Sequence, residues 1–267
     1  MANSKFYKPI VSLNRFERKK NIEILLHAYA CIRNDLEQHG DNHHNSSNSG
    51  VTAASKQTST FQSRLLPLII AGGYDVRNTE NVEYLKELQR LATNLGIQEQ
   101  TIFKPSVSDE ERAMLLKSAL CVVYTPHTEH FGIVPLEAMY AGSAVVAMKS
   151  GGPEETVQDG ITGILVDMTP KDTCEKLTNA IRSLLDNPKR AIEMGKCGHE
   201  HVKNKFGMDP FRQEWSRLVL NEAIPRGKER LKNLQDDSSR TTRTILWWCL
   251  CLFVAICAWL IRWYIVH

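Results

Sequence analysis

Two basic residues in one short segment can form an anion site. Arg15 and Lys20 lie in the segment NRFERKK, which we expect to be a loop, and Asn21 suits the N-cap of the helix that follows. An arginine and a lysine held beside a helix N-terminus bind anions, most often phosphate. The alternative is a solvated basic turn that binds nothing.

Two glutamates, Glu129 and Glu137, are separated by seven residues. Between them, Phe131, Gly132 and Ile133 precede a predicted helix, so their backbone N–H groups can face a diphosphate. Glu137, in the first helical turn, can accept hydrogen bonds from sugar or ribose hydroxyls, and Glu129 can approach a bound sugar ring. The alternative for each glutamate is an ordinary surface carboxylate.

Two glycine pairs can bring the backbone close to a ligand. Gly72 and Gly73 close an apolar run, and the segment 150–155 (SGGPEE) leads into a short helix. Either pair can also be plain turn chemistry at the end of a strand. Taken together, these loops suit an anionic, hydroxyl-rich ligand, and a nucleotide sugar meets that description.

The elements that must position these loops alternate between strand and helix. Short apolar runs predict strands, and between them lie helical patterns such as 81–95 and the segment that Ser108 opens with a capping box. The fold class is therefore α/β, a Rossmann-like parallel sheet flanked by helices, with ligands at the carboxyl ends of the strands. The predicted strands are 8–13, 65–71, 101–104, 119–124, 144–148 and 163–167.

Composition excludes several classes of protein. With 267 residues, 42% hydrophobic and 24% charged, the chain is neither wholly disordered, collagen-like nor a coiled coil. A net charge of +3 gives no sign of nucleic-acid binding. The seven cysteines include no Cys-x-x-Cys pair, which argues against a zinc ribbon or a disulfide scaffold and fits a reducing compartment.

The chain divides into three parts. We expect a nucleotide-sugar-binding domain over 1–224 with a polar, disordered insertion at 39–63, a polar linker over 225–244 and a membrane-anchor helix over 245–267. The stretch 245–261 carries no charge and has tryptophans near both ends, as at a membrane interface. Basic residues before it favour a cytosolic main domain. The alternative is a buried core helix.

The motifs NRFERKKN, EHFGIVPLEAM and SGGPEE together resemble the donor-binding half of the retaining GT-B glycosyltransferases of family 4. Within that family the chain is most similar to the eukaryotic alpha-1,3/1,6-mannosyltransferases that extend a dolichol-linked oligosaccharide. The resemblance covers about residues 8–222 and the apolar tail. It implies a GT-B C-terminal domain.

The resemblance also implies roles for individual residues. Arg15 and Lys20, with Lys19 as an alternative, neutralise the donor diphosphate, and Glu129 contacts the transferred sugar. Glu137 binds the ribose. The implied donor is GDP-mannose, the acceptor is a dolichol-diphosphate-linked glycan at the cytosolic face of the endoplasmic reticulum, and no metal or other cofactor is expected. The expected donor-binding backbone positions are Gly72, Gly73, Phe131, Gly132 and Ile133.

Members of this family have two Rossmann-like domains, and the acceptor-binding domain normally precedes the segment with which this chain begins. We therefore expect the chain to bind donor and to transfer poorly by itself. Two alternatives remain open. One is a UDP-sugar transferase that acts on another lipid. The other is a non-catalytic, membrane-tethered partner of oligosaccharide-assembly enzymes.

Overall fold

The computed structural model describes residues 8–41 and 66–266. Within them lies one parallel sheet of six strands, in the order β3-β2-β1-β4-β5-β6. This is the order of a Rossmann fold, and it confirms the predicted α/β class. The strands are β1 (Ile10–Leu13), β2 (Leu68–Gly72), β3 (Thr101–Pro105), β4 (Cys121–Tyr124), β5 (Ala144–Met148) and β6 (Gly163–Val166).

Helices cover both faces of this sheet. The helices in the same compact unit as the sheet are α1 (Glu23–Asp41), α2 (Thr79–Asn94), α3 (Asp109–Ser118), α4 (Ile133–Tyr140), α5 (Gly151–Thr156), α6 (Thr173–Asp186) and α7 (Pro188–Phe206). Helices α8 (Met208–Leu218) and α9 (Ile224–Val266) belong to a second compact unit. Helices α1, α2 and α6 contribute to the hydrophobic cluster on one face. Helices α3 and α4 contribute to the cluster on the other. Helix α7 contributes to both clusters.

The central strands are apolar because both of their faces are buried. Alternate residues point to opposite faces, so Ile10 joins one hydrophobic cluster and Val11 the other. Every residue of β4 and β5 is buried. The strands thus form a fixed base from which the loops at their carboxyl ends project.

The helix caps in the structure agree with the predicted caps at some helix ends and differ from them at others. The side chain of Ser108 accepts a hydrogen bond from the backbone N–H of Glu111, as the predicted capping box requires. Asn21 is not an N-cap. It has a φ of 50° and ends a short 3-10 helix over Arg18–Lys20, because asparagine tolerates the left-handed region. Helix α4 begins at Ile133, a residue that we expected to precede the helix.

The chain divides into two compact units, and the second begins at Gly207. Here the structure differs from the expectation of a linker followed by a separate anchor, because 225–244 lies inside the continuous helix α9. Ten of the twenty residues in this segment are arginine, lysine, glutamate, glutamine or leucine, which are good helix formers. In the residues that the structure describes, none of the helices combines the length and the apolarity needed to cross a bilayer. The structure therefore does not support the expected membrane-anchor helix at 245–267.

The predicted insertion at 39–63 lies mostly outside the described residues. Only positions 39–41 fall within them, and they belong to the last turn of α1. The chain is described again from residue 66, two residues before β2 begins.

Candidate functional site

The loops after β1 and β2 are joined by backbone hydrogen bonds at the carboxyl edge of the sheet. The N–H of Asn14 donates to the carbonyl of Ala71 at 3.0 Å, and that of Phe16 donates to the carbonyl of Gly73 at 3.2 Å. Gly72 has a φ of +147°, and a Cβ there would overlap the carbonyl of Asn14. This glycine is therefore required by chain packing, whatever ligand lies above it.

A second close approach joins the loop after β4 to the turn after β5. The N–H of Gly152 donates to the carbonyl oxygen of Glu129 at 3.0 Å. A Cβ on Gly152 would overlap the carbonyl of Phe131, and one on Gly151 would overlap that of Glu129. The SGGPEE turn thus sets the path of the loop that presents Glu129.

An ion pair lies where the loops after β1 and β4 meet. The Nζ atom of Lys20 is 2.6 Å from Oε2 of Glu129, and these side chains are 12% and 24% exposed. The hydroxyl of Tyr124 donates to the same Oε2 at 2.9 Å. The hydroxyl of Thr125 donates to the backbone carbonyl of Lys20 at 2.7 Å. The structure therefore brings together two residues 109 positions apart that the sequence proposed for one site.

These contacts shift the pKa values of Glu129 and Tyr124. The hydrogen bond from Lys20 lowers the pKa of Glu129, partial burial opposes this shift, and Tyr124 adds a second lowering hydrogen bond. Burial raises the pKa of Tyr124, and its bond to Glu129 raises it further. At neutral pH Glu129 is therefore a carboxylate, and Tyr124 is a neutral phenol that donates a hydrogen bond to it.

The other cations of the basic segment have different partners. Glu17, largely buried, pairs with Arg15 at 3.2 Å through one oxygen and with Lys19 at 3.0 Å through the other. The side chain of Arg15 is 62% exposed, and its Cγ would lie 3.0 Å from a Cβ on Gly73. Arg18 instead reaches helix α2, where its Nη2 lies 2.6 Å from Oε1 of Glu87.

Helix α4 begins beside the ion pair. Gly132 is its N-cap with a φ of +70°, and glycine has no side chain with which to cap the first amides. A Cβ on Gly132 would lie 3.2 Å from the Tyr124 ring and 3.4 Å from Cγ of Glu129. The flanking residues Phe131 and Ile133 are exposed. An uncapped helix N-terminus of this kind suits an anion.

Glu137 pairs with a residue that the sequence did not single out. It lies in the second turn of α4, and its carboxylate forms an ion pair with the guanidinium of Arg112 from helix α3. Both side chains are partly buried. The ion pair fixes the carboxylate from the side of a neighbouring helix.

The sequence missed four residues that contact the expected ones: Tyr124, Thr125, Glu17 and Arg112. Polar residues that end an apolar strand were a usable signal for Tyr124 and Thr125, because the carboxyl edge is where ligands bind. Nothing in the local pattern marked Arg112. In the described part of the chain, no three His, Cys, Asp or Glu side chains are grouped as a metal site would require.

The parallel sheet, its strand order and its flanking helices define an α/β domain of the kind found in GT-B glycosyltransferases. Residues 50–201 match the family described as glycosyl transferases group 1. The chain belongs to this family. Its most similar relatives include the alpha-1,3/1,6-mannosyltransferases ALG2 of Dictyostelium discoideum and Homo sapiens, each 37% identical. The resemblance inferred from the motifs is thereby confirmed.

These relatives are longer than the chain. The match covers 82% of this chain and 46% of the Dictyostelium protein, and 79% of this chain and 44% of the human protein. The chain therefore spans just under half the length of the curated relatives it matches.

Solved structures show the same fold. A sucrose-phosphate synthase from Thermosynechococcus elongatus aligns with a TM-score of 0.63 at 26% identity, over 84% of this chain and 47% of that one. The C-terminal domain of a glycosyl transferase group 1 protein from Francisella tularensis aligns with a TM-score of 0.55 at 19% identity, over 78% of this chain and 94% of that one. The second alignment corresponds to a nearly complete C-terminal domain.

Proposed function

We propose that this chain supplies the donor-binding domain of a retaining mannosyltransferase. Its donor is GDP-mannose, and its acceptor is a dolichol-diphosphate-linked oligosaccharide at the cytosolic face of the endoplasmic reticulum. The observation that supports the site is the Lys20–Glu129 pair beside the uncapped start of α4. The names of the relatives support mannose as the transferred sugar.

In this proposal the cations act on the leaving group. Lys20 and the exposed Arg15 neutralise the diphosphate as the bond to the sugar breaks, and the first amides of α4 bind its oxygens. Because these cations and amides already converge on one edge, we propose that departure of the diphosphate needs no metal ion.

The two carboxylates act on the two ends of the donor. Glu129, ionised at neutral pH, faces the sugar and stabilises positive charge that develops at the anomeric carbon. Glu137 accepts hydrogen bonds from the ribose while Arg112 holds its carboxylate. Retention of the anomeric configuration follows from the family resemblance.

Calorimetric titration of the full chain with GDP-mannose, GDP and UDP tests this proposal. We expect saturable binding of both guanine ligands, weakened in Glu137→Ala and unchanged in Glu193→Ala, an exposed glutamate of helix α7 outside the candidate loops. Tighter binding of UDP than of GDP would replace the donor with a UDP-sugar. Absence of binding to any of the three would favour the non-catalytic alternative.

A further inference from the structure

Two neighbouring residues at the end of β4 each contact one member of the ion pair. Tyr124 and Thr125 are both buried, with exposures of 3% and 0%. The Tyr124 hydroxyl donates to the carboxylate of Glu129, and the Thr125 hydroxyl donates to the backbone of Lys20. One dipeptide therefore holds both halves of the pair to the rigid sheet.

The two side-chain contacts of Glu129 share one carboxylate oxygen. Lys20 Nζ and Tyr124 Oη both bind Oε2. A diphosphate at the basic loop competes with Glu129 for the ammonium of Lys20, because both are anions. When Lys20 turns to the phosphate, Tyr124 still donates to Oε2.

The Tyr124 ring has little room to turn its hydroxyl towards a different hydrogen-bond acceptor. It is buried under the start of α4, where a Cβ on Gly132 would lie within 3.2 Å of it. An ordinary tyrosine phenol is already protonated at neutral pH, and burial raises the pKa of Tyr124 further above that range. The hydroxyl is therefore in place before any ligand arrives.

We propose that Tyr124 and Thr125 are the positioning residues of the donor site, Tyr124 orienting Glu129 towards the sugar and Thr125 fixing Lys20 for the diphosphate. This assignment rests on the proposed function for the identity of the ligand. The contacts themselves do not depend on it. Loss of the Tyr124 hydroxyl should therefore affect binding of the sugar, and loss of the Thr125 hydroxyl should affect binding of the diphosphate.

The experiment compares Tyr124→Phe, Thr125→Val and the control Tyr140→Phe, an exposed tyrosine at the end of α4. Calorimetry on the full chain gives the affinities for GDP and GDP-mannose, and carboxyl ¹³C NMR titration gives the pKa of Glu129. We expect Tyr124→Phe to raise the pKa of Glu129 and to lower the affinity for GDP-mannose about tenfold, with GDP affected little. Thr125→Val should weaken GDP and GDP-mannose alike.

The outcomes are separable. An unchanged pKa of Glu129 in Tyr124→Phe, or an equal loss of both ligands in that variant, would overturn the role of Tyr124. Unchanged binding in Thr125→Val would overturn that of Thr125. If the parent chain binds neither ligand, the proposed function fails, and the NMR titration still decides whether Tyr124 holds Glu129. If Tyr124→Phe does not fold, a loss of GDP binding in folded Thr125→Val supports the assignment, and unchanged binding overturns it.

Discussion

The guanidinium of Arg112 forms an ion pair with the carboxylate of Glu137 across the gap between helices α3 and α4. Glu137 is thereby fixed on a helix whose start borders the Lys20–Glu129 pair. A carboxylate held in this way loses little freedom when it binds a hydroxyl group, which favours binding.

Loss of this arginine should weaken nucleotide binding. In Arg112→Met the carboxylate of Glu137 loses its orienting partner, and we expect GDP affinity to fall about fivefold, corresponding to about 1 kcal/mol for a partly exposed charge pair. Calorimetry measures the change. Arg182→Met is the matched control, because Arg182 pairs with Asp35 between α6 and α1, outside the candidate site. Equal losses in the two variants would contradict the role of Arg112.

Substitution of Gly152 should disturb the site through the backbone. Its Cβ would overlap the carbonyl of Phe131, so Gly152→Ala must displace the loop that presents Glu129. We expect a loss of about 1–3 kcal/mol in the free energy of unfolding, as for overpacked sites, together with weaker GDP-mannose binding. Urea unfolding and calorimetry measure the two effects.

Gly227→Ala is the control for that substitution. A Cβ on Gly227 meets nothing within 4 Å, and alanine is favoured over glycine inside a helix by about 1 kcal/mol. This variant should keep full affinity for the donor. If Gly152→Ala were as stable as Gly227→Ala and bound GDP-mannose as tightly, the close packing of the loops after β4 and β5 would contribute neither to stability nor to donor binding.

The ion pair should make stability depend on pH. The pKa of Glu129 is lower in the folded protein than in the unfolded chain, chiefly because of Lys20. Its contribution to stability is therefore present above the unfolded value of about 4.3 and is lost as pH falls through the folded pKa. The stability difference between the parent and Glu129→Gln should be constant near neutral pH and shrink in acid. Urea unfolding at a series of pH values measures it.

The variant Lys20→Met provides the control for this pH effect. It removes the main cause of the lowered pKa of Glu129. In the Lys20→Met background, the effect of Glu129→Gln on the free energy of unfolding should therefore depend much less on pH. If the stability difference between the parent and Glu129→Gln were the same at neutral and acidic pH, the Lys20–Glu129 pair would not be the source of the pH dependence.

The sequence predicted the sheet well because parallel strands buried on both faces are unbroken apolar runs. Residues 144–148, for example, were assigned with the observed bounds. It could not predict the contact of Lys20 with Glu129 or of Glu137 with Arg112. Such contacts depend on strand order and loop paths, which local periodicity does not encode. Asn21 was misassigned because asparagine suits both an N-cap and a left-handed turn.

The structure also distinguishes the two arginines of the basic segment. Arg15 is exposed beside Gly73, whereas Arg18 is bound to Glu87 on α2. We expect Arg15→Met to weaken GDP binding and to reduce its dependence on salt, because a cation that we propose to bind the diphosphate is lost. Arg18→Met should keep the affinity and alter only the docking of α2. Calorimetry at two salt concentrations distinguishes the variants. A greater loss of affinity in Arg18→Met than in Arg15→Met would indicate that Arg18, and not Arg15, contacts the donor.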